Sequence, residues 1–106
     1  MTHTTVSAVK DRLDKGEELY IIDVREAGEY AEDNIGALLL PLSDIRNFEA
    51  EAIEDYKENE IIIHCKSGKR SMEAAMILEQ MGFKNLVNLD GGIMEWRAQL
   101  GGQNLK

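Results

Sequence analysis

Apolar residues recur along this chain at two different spacings, and the alternation between them predicts the fold. Val6, Val9 and Leu13 fall at helical spacing, with Lys10, Asp11, Arg12 and Asp14 between them. An amphipathic helix is therefore expected from about Val6 to Lys15, with Gly16 as its stop. Residues 19–24 read as a strand ending around Asp23, followed by a short helical turn over 27–32. Residues 37–40 read as a second strand, stopped by Pro41, and Ser43 is placed to cap a short helix beginning at Asp44. The acidic stretch 49–60 shows no clear period. Ile61, Ile62 and Ile63 then form an apolar run without alternation, the pattern of a strand buried on both faces of a parallel sheet. That run ends at His64 and Cys65. Beyond a glycine-containing turn, Ala74, Ala75, Leu78 and Met81 mark one face of a helix over 71–81, terminated by Gly82. A further strand is expected over 86–89 and a last helix over 93–100, with Trp96 in its packing face. Strands alternating with helices imply a doubly wound, mostly parallel α/β sheet. Ligands of such sheets bind beyond the carboxyl ends of the strands, which is where Cys65 falls.

Length and charge narrow the function. A chain of 106 residues makes one compact domain, with its core over about 6–100 and a flexible tail over 101–106. The net charge of −8 repels phosphate backbones and anionic headgroups, so neither nucleic acid nor membrane is an expected partner. The single cysteine cannot form an internal disulfide. Residues 1–5 do not resemble a signal peptide, and the longest apolar run, 37–42, is too short to span a bilayer. The expected location is the cytoplasm. His64 and Cys65 are too few for a metal site, so no metal or other cofactor is expected. His3 is read as a surface residue.

Chemistry concentrates in Cys65-Lys66-Ser67-Gly68-Lys69-Arg70-Ser71, between the buried strand and a helix. Unpaired N–H groups where a helix opens attract negative charge, and a loop curling on itself adds further N–H donors. Gly68 permits the positive φ such a curl needs. Lys66, Lys69 and Arg70 put three of the twelve basic residues within five positions, a local reversal of sign in an acidic chain. Cations and a helix N-terminus together lower a thiol pKa, so Cys65 is expected to ionise without a separate base. His64 is adjacent, but neighbouring strand residues point to opposite faces, which argues against a Cys–His dyad.

Several stretches together resemble the rhodanese family. They are Asp23-Val24-Arg25-Glu26, then Glu29-Tyr30-Ala31, Ile35-Gly36-Ala37 and Pro41-Leu42, then Ile61 to Ser71 with its Cys-x-x-Gly-x-Arg-Ser form. Gly82-Phe83 to Asn88, Asp90-Gly91-Gly92 and Trp96 complete the series. The resemblance implies a single-domain fold with a mostly parallel five-stranded sheet flanked by helices on both faces. It implies a sulfurtransferase in which Cys65 takes a sulfane sulfur from thiosulfate or a persulfide and passes it to cyanide or a thiol. The N–H groups of residues 66–70 would cradle the persulfide, with Lys66, Lys69 and Arg70 holding the anionic donor and Ser71 in support. Asp23 is expected to orient the loop, and Arg25 to make a structural ion pair. Related phosphatases enclose five residues between cysteine and arginine; here four separate Cys65 from Arg70, which suits sulfur rather than a phosphoryl group. The alternatives are a relay module carrying a persulfide between proteins, a phosphatase or arsenate reductase, and a non-catalytic binding module. One departure stands out. Where the family usually carries Gly-His-Ile-x-Gly-Ala, this chain has Asp33-Asn34-Ile35-Gly36-Ala37, one residue shorter.

Overall fold

The computed structural model describes residues 1–105; Lys106, the last residue of the expected tail, lies outside them. Five parallel strands form one sheet: β1 (Thr2–Thr4), β2 (Tyr20–Asp23), β3 (Leu38–Leu39), β4 (Glu60–His64) and β5 (Asn85–Leu89), in the order β1-β5-β4-β2-β3. Helices α1 (Val6–Asp14), α2 (Ala27–Glu32), α3 (Leu42–Arg46), α4 (Lys69–Gln80) and α5 (Gly92–Leu100) connect or follow them. The acidic stretch that showed no period contains a short 3-10 segment, Glu51–Tyr56.

The triple isoleucine run explains the layering. Ile61 and Ile63 pack with Ile45 of α3 and Ala74, Ala75 and Leu78 of α4. Ile62 points the other way, into a second cluster with Val6 and Val9 of α1 and Trp96 of α5. Side chains on a strand alternate between faces, so only a strand covered on both sides can be apolar throughout. This central position of β4 holds its carboxyl end, and hence Cys65, in a rigid frame.

Several expectations need correction. Strand β1 was not legible: Thr2-His3-Thr4 is a polar edge strand paired on one side only, with β5. Helix α3 starts at Leu42 rather than Asp44, because Pro41 occupies the cap position with its φ of −59° already helix-compatible. Ser43 is no cap; its hydroxyl donates to Glu26 Oε1 at 2.9 Å. Helix α4 starts at Lys69, two residues early, because Gly68 takes a left-handed turn (φ +114°) directly before it. The expected flexible tail is tied down over 101–105. Trp96 Nε1 donates to Gln103 O at 2.7 Å, Leu105 N donates to Ile35 O at 2.8 Å, and Leu105 packs against the second cluster.

The shortened Asp33-Asn34 segment closes by its own side chains. Asn34 donates from Nδ2 to Tyr30 O and accepts at Oδ1 from Gly36 N, while Gly36 adopts φ +94°. Asp33 pairs with Arg97 of α5 through two bonds of 2.9 Å, which holds the Asp33 carboxyl below its usual range. No helix among the described residues is long and apolar enough to cross a membrane.

Candidate active site

Cys65 follows β4 directly and lies at the floor of the loop leading into α4. The residue is only 1 % exposed, yet Gly68 N–H points at its sulfur at 3.1 Å. The Ser71 hydroxyl stands 3.5 Å from Sγ, and the N–H groups of Ser71 and Ser67 also face it. Burial pushes the thiol up. The Ser71 hydroxyl and the N–H groups of Ser71, Gly68 and Ser67 outweigh burial and leave the thiol below its ordinary range. The sulfur is thus enclosed without being surrounded only by apolar groups.

The three loop cations are not equivalent. Arg70 grips Glu29 of α2 through two bonds of 2.7 and 2.8 Å. The Arg70 guanidinium holds the Glu29 carboxyl down at about 2, and Glu29 also accepts from Glu26 N–H. Arg70 is therefore not a cation free for substrate, as its place in the loop suggests; its charge is committed to α2. Lys66 and Lys69 are exposed and enter no ion pair among the described residues. Lys66 opens onto a cleft of about 320 Å³ that is also lined by Arg25, Glu29, Ile93, Met94 and Arg97.

Asp23 and Arg25 are buried together at the end of β2. Arg25 donates from Nε and Nη2 to the Asp23 carboxylate at 2.7–3.1 Å, and its Nη2 also reaches Asp33 O at 2.7 Å. His64 Nε2 lies 3.5 Å from Asp23 Oδ2 with no hydrogen bond between them. His64 Nδ1 faces the Cys65 carbonyl oxygen at 3.1 Å. That oxygen can only accept, so Nδ1 carries the proton. Burial pushes the His64 pKa down, which keeps the ring neutral, and its Nε2 has no hydrogen-bond partner.

Three contributors were not singled out from sequence. Asn88, 1 % exposed, accepts at Oδ1 from the Ser71 hydroxyl. Glu29 anchors Arg70. Gly92 lets α5 approach the loop so closely that Ile93 N donates to Cys65 O at 2.9 Å and Met94 N to Lys66 O at 3.1 Å. A Cβ on Gly92 would sit 2.3 Å from Cys65 O. Asn88 and Gly92 lie within stretches quoted above for their resemblance; a polar side chain in the middle of an apolar strand was the available signal for Asn88.

Comparison with known proteins now decides the family. A model of the rhodanese-like domain matches residues 5–99. The chain belongs to the rhodanese-like domain family. Among relatives of this rhodanese-like domain, YtwF of Bacillus subtilis strain 168, whose name assigns it provisionally to the sulfurtransferases, is 38% identical over 96 residues. That match covers 90% of this chain and 89% of the relative. The thiosulfate sulfurtransferase GlpE of Pseudoalteromonas translucida is 33% identical, covering 91% of this chain and 89% of its own. The crystal structure of a rhodanese-like domain protein from Staphylococcus aureus matches with a TM-score of 0.78 at 30% identity, over 91% of each chain.

Proposed function

We propose that this rhodanese-like domain is a sulfurtransferase that carries sulfane sulfur on Cys65. The observation that carries the reading is the aim of the Gly68 N–H at the Cys65 sulfur, with Ser67 and Ser71 N–H groups beside it. Main-chain donors fixed by the α4 N-terminus stabilise a sulfur anion before any substrate arrives.

The chemistry follows in two balanced transfers. The Cys65 thiolate attacks the outer sulfur of thiosulfate; the S–S bond of thiosulfate breaks, and sulfite leaves with the electron pair. Cys65 then bears a persulfide, whose terminal sulfur takes up negative charge within reach of the loop N–H groups. Cyanide or a thiolate attacks that terminal sulfur, the Cys65 S–S bond breaks, and the Cys65 thiolate is regenerated. This is covalent catalysis by a nucleophile that needs no base of its own. Lys66 and Lys69 supply the attraction for an anionic donor, since Arg70 is neutralised by Glu29. Arg70 instead fixes the loop against α2. Asp23 and Arg25 brace the strand ends around His64, whose ring holds the Cys65 carbonyl. A lone unpaired cysteine serves this role in a reducing compartment, which supports a cytoplasmic location.

A persulfide relay between proteins is the second reading. What favours it is the cleft beside Lys66, where Arg25 and Arg97 are paired with Asp23 and Asp33 and Glu29 and Glu32 add negative charge, leaving little free positive charge for a small dianion. Thiocyanate formation from thiosulfate and cyanide tests the main reading. It is expected in the native protein and absent in Cys65→Ser; turnover that survives the substitution removes Cys65 from the mechanism. A much higher kcat/KM with a protein-bound persulfide than with thiosulfate would favour the relay.

A further inference from the structure

A chain of polar contacts runs from the buried sulfur to the surface through Ser71, Asn88 and Asp90. Cys65 Sγ meets the Ser71 hydroxyl at 3.5 Å, and that hydroxyl meets Asn88 Oδ1. Asn88 Nδ2 donates to Asp90 Oδ1 at 2.9 Å, and His3 Nδ1 lies 2.7 Å from the same oxygen. Strand β1 places His3 beside Asn88 in the sheet register. Cys65, Ser71 and Asn88 are each no more than 1 % exposed, whereas Asp90 and His3 are exposed.

The direction of protons along this chain is dictated from the Asp90 end. A carboxylate accepts only, so Asn88 must present Nδ2 to Asp90, leaving Oδ1 toward Ser71. Ser71 has one proton and three acceptors in reach: Asn88 Oδ1, Gly68 O at 3.0 Å and Cys65 Sγ. Gly68 O already accepts from Met72 N. Among the described residues, Asn88 Oδ1 has no donor except Ser71, and a buried acceptor left without one is costly.

We propose that Asn88, its amide aligned by Asp90, is a positioning residue that holds the Ser71 proton away from the Cys65 sulfur. Thiolate charge then rests more on the loop N–H groups than on the Ser71 hydroxyl, whose help to the sulfur is weakened by Asn88; the same N–H groups receive the terminal sulfur of a persulfide. A thiolate with fewer donors is more basic and more nucleophilic. Ser71 is a restrained donor, fully available to the sulfur when Asn88 gives up its proton.

The other charged groups near the sulfur are Arg70 with Glu29 of α2, Lys66 and Lys69 on the loop, and neutral His64 on β4. None of them is altered in the test. The pH dependence of Cys65 alkylation by iodoacetamide is measured in native protein, Asn88→Ala, Asp90→Asn, Ser71→Ala and the doubles Asn88→Ala/Ser71→Ala and Asp90→Asn/Ser71→Ala. Removing Asn88 frees the Ser71 hydroxyl for the thiolate, so the half-point is expected to fall by about one unit. The plateau rate at high pH should fall about threefold, because a less basic thiolate attacks more slowly.

Asp90→Asn, an exposed substitution that spares the core, permits the Asn88 amide to turn and moves the half-point the same way. Ser71→Ala alone raises the half-point by less than Asn88→Ala lowers it, because only a restrained donor is lost, and either double returns to the value of Ser71→Ala. An upward or absent shift in both Asn88→Ala and Asp90→Asn overturns the proposal. So does an Asp90→Asn shift that persists without Ser71, which would mark simple loss of a negative charge. This proposal rests on the sulfurtransferase reading for its consequence but not for its readout: alkylation reports the thiol whether or not the protein transfers sulfur.

Discussion

Substituting Gly92 by alanine displaces Cys65, the proposed nucleophile, without touching its side chain. Gly92 has φ +55°, and an added Cβ would stand 2.3 Å from Cys65 O and 2.6 Å from Lys66 O. Carbon and oxygen make close contact at about 3.3 Å, so the backbone of Cys65 and Lys66 must withdraw by about 1 Å. The withdrawal breaks the bonds from Ile93 N to Cys65 O and from Met94 N to Lys66 O. Each is worth about 1 kcal/mol, and the left-handed backbone adds about 1 kcal/mol of strain, giving a loss of about 3 kcal/mol. A 1 Å shift of the reacting atom lowers the rate by about 100-fold. Gly16→Ala provides the comparison: it carries the same kind of backbone strain, φ +86°, with no atom within 4 Å of the added Cβ. Urea unfolding and thiocyanate formation are measured on both variants. Gly16→Ala should lose about 1 kcal/mol and keep full turnover. If Gly92→Ala behaves as Gly16→Ala does, the contact between α5 and the loop does not set the position of Cys65.

Other outcomes follow from the same geometry. Lys66→Gln removes an unpaired cation from the cleft and should raise KM for thiosulfate by about fivefold with kcat retained, read from steady-state kinetics; an unchanged KM assigns donor binding elsewhere. Glu29 is held down at about 2 by Arg70, so their pair contributes stability above the ordinary carboxylate range and loses it as pH falls toward 2. Glu29→Gln should therefore flatten the acid-induced loss of stability between about pH 4.5 and 2, measured by chemical denaturation across that range; identical slopes would remove the pair from the acid response. The Cys65 thiol lies below its ordinary range, so single-turnover sulfur uptake should rise with pH and level off before a free cysteine would ionise. A midpoint at or above that of free cysteine would show that burial prevails over the loop donors.

Most of the sheet and the place of Cys65 at the end of its central strand could be read from sequence because they depend on local patterns. Ile61–Ile63 announced a doubly covered strand, and Gly68 shortly after Cys65 announced a curled loop opening a helix. The residues that escaped sequence reading are those whose roles depend on distant partners. Thr2–Thr4 is polar and becomes a strand only because β5 offers an open edge. Arg70 looked available because Glu29, 41 positions away, gives no local sign that it will take the charge. Residues 101–105 looked loose because the groups that bind them, Trp96 Nε1 and Ile35 O, are supplied by the finished fold. Asn88 was visible as a polar break in a strand, but its work becomes apparent only when β5 sets it against Ser71.

The central claim is that Cys65 forms a persulfide within its ring of N–H donors. Intact-mass measurement after incubation with thiosulfate tests it most directly. The native protein should gain one sulfur atom, lose it on addition of cyanide, and show no gain as Cys65→Ser. An unmodified mass in the native protein, or a gain that persists in Cys65→Ser, would contradict it.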